Sequence, residues 1–407
     1  MEQRTVTGYE EKKAALFEEI DRHEPSVRAL SDWLFQNPET SGLEFESSKK
    51  IAAFLEANGY CVELPVGGEA TAFAASSGAQ CGEKNDEKSN GRKRGRQLAI
   101  MVEYDALPDI GHACGHNVSA GISLLAALAL RPLQDALDLD VRIIGTPAEE
   151  RGGGKVPLIE HGLFADADMA MMVHVYNGNV LSPVCLALRG NYYTFTGAPA
   201  HAAASPWEGR NALNGAQLFL HAVDMLRQHV QPDVRMHGII REGGTIPNTV
   251  PERAVCELFV RALDKGYAAS VQKLVDDCAK GAAIATQTEC SIAPSVRSYD
   301  DLKRNTPGLA ALADVFSELG LSLDSDPDRP FASTDAGNVS YVCPTFHPCL
   351  QIAPSGTELH TQAFAQYAGG EAGRSALATG AKIIGLQVLK VFGDDRLLAD
   401  IAADFKR

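Results

Sequence analysis

Residues able to bind metal are concentrated in the stretch EYDALPDIGHACGHN, from Glu103 to Asn117, which directly follows the apolar run LAIMV. Cys114 and His116 lie two positions apart there, between a predicted buried strand and a predicted helix. Thiolate and imidazole are the usual protein ligands of zinc and neighbouring transition metals, and a loop at the carboxyl end of a strand can aim both at one point. The pair alone also fits a buried cysteine beside a hydrogen-bonded histidine.

Two adjacent carboxylates form a second feature. Glu149 and Glu150 follow the predicted strand VRIIGT and precede the glycine run of GTPAEERGGGK. Because glycine lets the backbone turn sharply, the two side chains can point in different directions. One carboxylate can then bind metal while the other faces a water molecule. Adjacent glutamates on a solvated charged face are the alternative, although this pair follows a strand at the end where ligand sites form.

Two further histidines complete the set. His174 lies near the end of the apolar run MMVHV, where a buried core histidine is the simpler interpretation. His360 lies in the polar loop SGTELHTQ, where a solvent-exposed histidine is the simpler interpretation. Five candidate donors therefore lie at predicted strand ends or adjoining loops of one α/β domain: Cys114, His116, Glu150, His174 and His360. Five such donors exceed the four ligands of a tetrahedral structural zinc and favour a two-metal site.

The run CPTFHPC offers a second apparent ligand cluster, with Cys343, His347 and Cys349. Its two prolines and irregular spacing do not match a zinc knuckle and favour buried structural thiols. His112, two residues before Cys114, is expected to orient the loop and not to bind metal.

The composition limits the function classes. The chain has 407 residues, 45% of them hydrophobic, which is enough for more than one domain. A net charge of −15, with KSNGRKRGR as its one basic run, argues against binding to nucleic acid or an anionic membrane. The sequence lacks a run of about 18 apolar residues, and MEQRTVTGYEEKK lacks the apolar core of a secretion signal. Nine irregularly spaced cysteines favour reduced thiols, so a cytoplasmic protein is expected.

The elements that position the donors follow from the hydrophobic pattern of residues 1–188. Predicted strands are YCVELP, ATAFAAS, QLAIMVE, DVRIIGT and DMAMMVH, and predicted helices cover residues 9–36 (interrupted near HEPS), 47–58, 117–130 and 155–162. Strands that alternate with helices predict an α/β fold with a mostly parallel sheet sandwiched by helices. Residues 77–97 are polar and glycine-rich and are predicted to be a disordered surface insertion.

Residues 189–297 have a different pattern. Strand-like and helical segments follow one another there in the order β-α-β-β-α-β, which is typical of a ferredoxin-like α+β unit. The α/β pattern resumes in residues 298–407. The sequence therefore predicts a ferredoxin-like domain inserted into the α/β domain.

Taken together, the motifs resemble metallopeptidase family twenty, which includes aminoacylases, carnosinases and carboxypeptidase G. The resemblance runs from NPETSGLEFE at Asn37 nearly to the end of the chain, and it is carried by EYDALPDIGHACGHN, GTPAEERGGGK, MVHV, GAPAHAA, GGTIPNTVPERA and TDAGNVSYVCPTFHP with ELHT. Within the family the chain is similar to the amidohydrolase branch with a cysteine ligand, and there to Xaa-Arg/β-alanyl-lysine dipeptidase-like proteins.

The resemblance implies a role for each matching residue. It implies that the five donors named above bind two divalent metal ions, zinc or alternatively manganese or cobalt, and that Glu149 is the general base. Asp105 matches the residue that orients a metal ligand. His201, in the inserted lid and dimerisation domain, matches a histidine that reaches the partner subunit's site in a homodimer, where it stabilises the oxyanion or binds the substrate carboxylate. Asn248 and Arg261 match positions near the substrate.

The implied function is metal-dependent hydrolysis of an amide bond in small dipeptides or N-acyl amino acids. Two alternatives are an amidohydrolase for one N-acyl-amino-acid conjugate or pathway metabolite, and a non-catalytic metal-binding protein on the same scaffold. The intact donor set and Glu149 favour the enzyme. The resemblance implies glycine at the position of Arg151, so this chain departs from the family pattern there. The arginine would change the width or charge of the pocket mouth, which affects substrate specificity and not catalysis.

Overall fold

A computed structural model describes residues 8–77, 95–324 and 332–407. The chain divides into two compact units. Unit 1 comprises Met1–Pro183, Leu302–Arg329 and Asn338–Arg407, and unit 2 comprises Val184–Asp301 and Pro330–Gly337. The exact domain boundaries proposed from the sequence, after residues 188 and 297, stay a prediction.

The first part of unit 1 alternates helices with short strands. Its elements are α1 (Tyr9–Gln36), α2 (Phe45–Ala57), β1 (Cys61–Glu63), β2 (Phe73–Ser76), β3 (Arg96–Val102), α3 (His116–Leu130), α4 (Gln134–Leu137), β4 (Leu139–Gly145), α5 (Lys155–Glu160), β5 (Met169–Met171) and β6 (His174–Tyr176). The predicted interruption of α1 near HEPS is wrong, because the helix runs through Pro25. Proline removes one donor, and the buried face formed by Leu16, Ile20, Val27 and Leu30 keeps the helix continuous.

Unit 2 contains an antiparallel sheet and two long helices. Its elements are β7 (Ala187–Thr196), α6 (Ala212–Leu226), β8 (Arg235–Glu242), β9 (Arg253–Ala262), α7 (Lys265–Thr286) and β10 (Glu289–Pro294). The strands lie in the order β10-β7-β9-β8, and apolar residues of the sheet and both helices, among them Phe195, Phe219 and Val275, form a buried core. The Asn211 and Asp264 side chains cap the amino ends of α6 and α7.

The last part of the chain returns to the first sheet. Its elements are α8 (Thr306–Glu318), α9 (Ala336–Val339), β11 (Thr345–Phe346), β12 (Cys349–Gln351), α10 (Gln362–Ala368), α11 (Glu371–Phe392) and α12 (Asp395–Phe405). β11 pairs in parallel with β5, and β12 pairs in parallel with β6. The predicted strand DMAMMVH is therefore two strands, which belong to different sheets.

Within the described residues, the largest sheet has the order β1-β2-β4-β3-β5-β11. β4, β3, β5 and β11 are parallel neighbours, and β1 and β2 form an antiparallel edge. α3 is buried along its whole length and packs against α1 and α11. This arrangement confirms the predicted α/β class with a mostly parallel sheet.

Two helical stretches, His116–Leu137 and Glu371–Phe392, are long and apolar enough to cross a membrane by length and composition alone. In both, 72% of the apolar window is buried inside the protein, as in the core helices of soluble proteins. Length and apolar composition are therefore weak evidence that either helix spans a membrane.

Two other predictions meet the structure in part. Residues 78–94 of the predicted insertion lie outside the described residues, and Arg96 and Gln97 belong to β3, so the segment ends earlier than predicted. The prediction of reduced thiols holds for six cysteines with free thiols: Cys114, Cys256, Cys278, Cys290, Cys343 and Cys349. It is wrong for Cys61, which forms a disulfide.

Candidate metal centre

The candidate site lies where β3 and β4 end. These strands are parallel neighbours, and Val102 at the end of β3 pairs with Gly145 at the end of β4. The chain continues from β3 into Glu103 and Asp105 and from β4 into Glu149 and Glu150, so both acidic segments leave the sheet at the same edge.

A tight turn places Cys114 and His116 side by side. Gly115 between them has φ 86°, and a Cβ atom there would lie 2.3 Å from Cγ2 of Val175, so the turn requires glycine. The Cys114 Sγ lies 3.6 Å from Nε2 of His174, and the rings of His116 and His174 meet edge to face at 5.4 Å. Ligand atoms of Cys114, His116 and His174 all lie within 4.8 Å of one another.

A second group shares the same thiol. Ligand atoms of Cys114, Glu150 and His360 lie within 4.8 Å of one another, and Nε2 of His360 is 3.3 Å from Oε2 of Glu150. The His360 backbone N–H donates to the Ala113 carbonyl, and its φ of 61° is unusual for a residue other than glycine. The structure therefore brings all five predicted donors together, with Cys114 in both groups.

Asp105 fixes the orientation of two neighbours. Its Oδ2 accepts hydrogen bonds from the Ser41 hydroxyl at 2.7 Å and from the Glu150 backbone N–H at 3.0 Å. Its carbonyl oxygen is 2.9 Å from Nδ1 of His116. Nδ1 is thereby the donor, and Nε2 of His116 is left to face the cluster. Asp105 thus has the geometry that a residue orienting a metal ligand needs.

A second buried acid, which the sequence did not single out, holds the glutamate turn. Glu44 is fully buried, and its Oε1 accepts from the backbone N–H groups of Gly42 at 2.8 Å and Ala148 at 2.9 Å. Its Oε2 accepts from the Thr71 hydroxyl at 2.8 Å. Ala148 has φ 58° and directly precedes Glu149. Glu44 therefore stabilises an uncommon backbone conformation next to the predicted general base.

The charges around the cluster shift the pKa values of the buried acids. Burial alone would raise the pKa of Glu103, but the Lys155 ammonium, 2.5 Å from Oε1, holds it at about 2. Burial opposes ionisation of Asp105 too, and the His116 imidazole together with hydrogen bonds from Glu150 and Ser41 holds its pKa below the usual range. Both acids are ionised at neutral pH.

His174 and Cys114 differ in whether they are already in the protonation state that binds metal. Burial lowers the pKa of His174 to about 3, with a further contribution from His116, so the imidazole is neutral and carries a lone pair. Burial raises the pKa of the Cys114 thiol well above its usual range, and the Glu150 carboxylate raises it further. A neighbouring cation is the group that converts such a thiol into a thiolate ligand.

Four buried atoms at the cluster have no hydrogen-bond partner among the described residues: Nε2 of His116, Oε1 of Glu150, Oε2 of Glu103 and Oδ1 of Asp105. A buried polar atom without a partner costs about 1–3 kcal/mol. A bound cation satisfies such atoms, so the donor set fits divalent metal ions.

The run CPTFHPC does not form a ligand group with the residues that the structure describes. Cys343 and Cys349 are buried free thiols, as predicted. His347 is buried and stacks on His174 with the ring centres 5.7 Å apart. His112 is buried outside the ligand groups, and neither of its ring nitrogens has a hydrogen-bond partner in the described part of the chain.

Two predicted substrate-side residues of unit 2 lie next to each other. A β-bridge joins His201 to Thr249, and the Ala202 N–H donates to the Asn248 carbonyl at 2.9 Å. Both His201 and Asn248 are exposed. Nδ1 of His201 accepts from the backbone N–H groups of Ala203 and Ala204, at 3.2 and 3.1 Å. The ring proton is therefore on Nε2, which is available as a donor.

Arg261 lies elsewhere in unit 2. It is near the end of β9, eight positions beyond Arg253, whose partner Thr196 is close to the His201 segment. Eight residues of strand span roughly 26 Å at about 3.3 Å per residue. Arg261 donates to Nε2 of His237 at 3.3 Å and to the Ser333 hydroxyl at 2.9 Å. The structure of this unit therefore does not bring Arg261 together with His201 and Asn248.

Glu103 and Lys155 are further residues at the cluster that sequence reasoning did not single out. Glu103 lies two positions before Asp105 in EYDALP, so its place beyond a strand end was the available signal. Lys155 follows a glycine run, where a lysine is ordinarily solvated, and the sequence gives no sign that it is buried.

Comparisons with known proteins show which family and which relatives the chain is similar to. Residues 99–381 match the family described as Peptidase family M20/M25/M40. A mouse (Mus musculus) protein named Xaa-Arg dipeptidase is 34% identical over 400 residues, which cover 96% of this chain and 91% of the relative. An Escherichia coli K12 protein, named as a component of p-aminobenzoyl-glutamate hydrolase, is 30% identical over 299 residues, 66% of this chain and 58% of that protein.

One solved structure shows the same fold. It is a dinuclear metal-binding peptidase of family M20 from Bacillus subtilis, with a TM-score of 0.66 and 18% sequence identity. The similarity covers 92% of this chain and 99% of that one.

Proposed function

The chain belongs to peptidase family M20/M25/M40, as its motifs predict, and we propose that it uses two divalent cations to hydrolyse the amide bond of small dipeptides or N-acyl amino acids. One observation carries the proposal, namely that five donors from separate parts of the chain converge beyond the strand ends: Cys114, His116, Glu150, His174 and His360. The name of the mouse relative supports a dipeptide substrate.

The two ligand groups suggest how the cations are held. Of the possible ligand groups, Cys114, His116 and His174 would hold one cation and Cys114, Glu150 and His360 would hold the other, so the Cys114 sulfur would be available to both. Mixed sulfur, nitrogen and oxygen ligation suits zinc, and alternatively manganese or cobalt. The unpartnered Nε2 of His116 and Oε1 of Glu150 support this assignment.

When bound, such cations supply Lewis acidity, which lowers the pKa of water from about 15.7 towards 7 and polarises a carbonyl oxygen. Glu149 acts as the general base. Its side chain is 12% exposed, so solvent and substrate reach it, and its Oε2 is 4.0 Å from Nε2 of His116. Glu149 takes a proton from the attacking water and returns it to the nitrogen of the leaving amine. Glu44 and Asp105 hold the backbone on either side of it.

His201 supplies a further donor in this proposal. Its Nε2–H stabilises the oxyanion or binds the substrate carboxylate, because Nδ1 is already occupied by two backbone N–H groups. We propose that it does so in the partner subunit's site of a homodimer. β8 supports this assembly, because it lies at the edge of its sheet and all its residues except Met236 are exposed. The unpaired backbone groups of such an edge strand can bond the same strand of a second subunit. Asn248, next to His201, is proposed to lie near the substrate, and so is Arg261.

A specific observation favours a second candidate substrate. The Escherichia coli relative is named for the hydrolysis of p-aminobenzoyl-glutamate, which is an acylated amino acid. The second candidate is therefore hydrolysis of one N-acyl-amino-acid conjugate by the same site. Arg151, exposed in the turn after Glu150, is proposed to influence this choice. A cytoplasmic location stays a prediction.

A substrate panel with metal control tests the function. The purified protein is assayed on β-alanyl-lysine, Xaa-Arg dipeptides, N-acetyl amino acids and p-aminobenzoyl-glutamate, before and after chelation and after re-addition of zinc, manganese or cobalt. We expect hydrolysis of at least one class, loss of activity on chelation and recovery with one of the metals. Activity that persists in metal-free protein contradicts the proposal, and absence of hydrolysis in every metal favours a non-catalytic protein.

A further inference from the structure

A buried ion pair lies beside the metal-ligand groups. Lys155, the first residue of α5, and Glu103, just beyond β3, are both fully buried, and Nζ of Lys155 is 2.5 Å from Oε1 of Glu103. Burying two charges costs more than their attraction returns unless the geometry is good, so such a pair is weak evidence for a purely stabilising role. The ammonium contact accounts for one oxygen of Glu103.

The other oxygen faces a metal-binding nitrogen. Oε2 of Glu103 has no hydrogen-bond partner among the described residues and lies 3.5 Å from Nε2 of His116, which has none either. Nδ1 of His116 donates to the Asp105 carbonyl, so Nε2 carries a lone pair when the imidazole is neutral. When the imidazole is neutral, two buried acceptors face each other, an arrangement that is unfavourable unless a positive charge, either a proton or a bound cation, lies between them.

The distance suits two ligands of one cation. Zinc binds histidine nitrogen and carboxylate oxygen at about 2.0–2.2 Å in tetrahedral geometry, which separates two ligand atoms by roughly 3.3–3.6 Å. The observed 3.5 Å lies in this range. Ligand atoms of Glu103 and Glu149 also lie within 4.8 Å of each other, so Glu103 borders the proposed catalytic base.

We propose that Glu103 is a sixth donor, which binds through Oε2 the divalent cation held by His116, and that Lys155 fixes and neutralises its other oxygen. This inference rests on the proposed two-cation function and adds a ligand to one of the two positions. The pair thereby makes the two cations unequal, because Glu103 strengthens the position at His116 alone.

The test measures cation binding and not activity. Wild-type protein and a Glu103→Gln variant are freed of metal with a chelator and titrated with Zn²⁺ by calorimetry, and bound zinc is counted by mass spectrometry after gel filtration. Glutamine keeps the shape and an oxygen that accepts from Lys155, but it loses the charge. We expect two zinc ions in the wild type, and in Glu103→Gln one unchanged site and one weakened by about 10- to 100-fold.

A double variant separates a ligand from a structural group. Glu103→Gln with Lys155→Met removes both buried charges, so the metal-free fold is retained even if Glu103→Gln alone unfolds. We expect the weakened site to remain weak in the double variant. Recovery of two wild-type sites would show that Glu103 acts only through the fold. Glu318→Gln is the matched control, because Glu318 contacts Lys13 at 2.6 Å and Lys390 at 3.1 Å and belongs to none of the ligand groups.

The outcomes distinguish this inference from the function on which it rests. If the wild type binds two zinc ions and both Glu103 variants bind them equally tightly, Glu103 is not a ligand and the two-cation function stands. If the wild type binds no zinc, manganese or cobalt, the proposed function fails and this inference fails with it.

Discussion

The two regions with predicted functional residues differ in how they place them. At the metal-ligand groups of unit 1, the donors come from strand ends far apart in the sequence, and most are buried. Asp105 holds the backbone of Glu150, Glu44 holds the neighbouring Ala148 backbone, and Lys155 holds the adjacent Glu103. In unit 2, His201 and Asn248 are exposed neighbours on one pair of loops.

The two regions differ in whether their side chains need a bound ligand to be satisfied. Buried donors without partners are unfavourable in water-excluded surroundings, so the cluster in unit 1 indicates a cation. Exposed side chains such as His201 are satisfied by water, and their role depends on a substrate or a second subunit. Variants of each region therefore test the comparison directly.

The largest effect is expected from the proposed base in the buried cluster. Glu149→Gln keeps the size of the side chain but cannot accept the proton of water, so kcat should fall by about 10²- to 10⁴-fold. Bound metal, counted by mass spectrometry, should stay at the wild-type level. Wild-type turnover in this variant would remove Glu149 from the mechanism, and loss of metal would make it a ligand.

The next effect is on stability and contrasts a buried ion pair with an exposed one. Lys155→Met leaves the Glu103 carboxylate buried and unpaired, which should destabilise the metal-free protein by about 3–5 kcal/mol. Arg241→Met in β8 breaks an ion pair with Glu257 in which Arg241 is 48% exposed, and should cost less than about 1 kcal/mol. Urea unfolding of both variants measures the difference, and equal losses would contradict it.

A smaller effect is expected from the exposed region. His201→Ala removes the Nε2–H donor and should lower kcat by about 10²- to 10³-fold, as for other oxyanion donors. Metal content and thermal unfolding should be unchanged, because the side chain is exposed and its ring bonds only neighbouring backbone. Asn211→Ala, which removes a helix cap in the same unit, is the control that should change stability and not kcat.

The smallest effect on catalysis is expected from Glu44. Glu44→Gln weakens the acceptor for the Ala148 N–H and loosens the turn that carries Glu149, so kcat should fall by about 10- to 100-fold with little change in KM. Glu56→Gln, at an exposed position of α2, serves as the surface control. A rise in KM with unchanged kcat would show that Glu44 shapes the substrate pocket and does not position the base.

Much of the fold and of the cluster follows from local patterns. The strands before Glu103 and before Glu149 are apolar runs, and each is followed by polar residues where the sheet ends. Parallel strands end at a common edge, so Cys114, Glu150 and their neighbours were expected to meet there. Local patterns were misleading at Pro25, where packing along α1 outweighs a helix-breaking residue.

The sequence by itself determined which side chains carry chemistry and at which strand ends they lie, because residue type and hydrophobic period are local properties. Only the tertiary structure decided what each side chain bonds. Lys155 bonds Glu103, which is 52 positions away in the sequence, and Glu44 bonds the Ala148 backbone, which is 104 positions away. Those partners depend on the path of the chain and on burial, which strengthens charge interactions by excluding water.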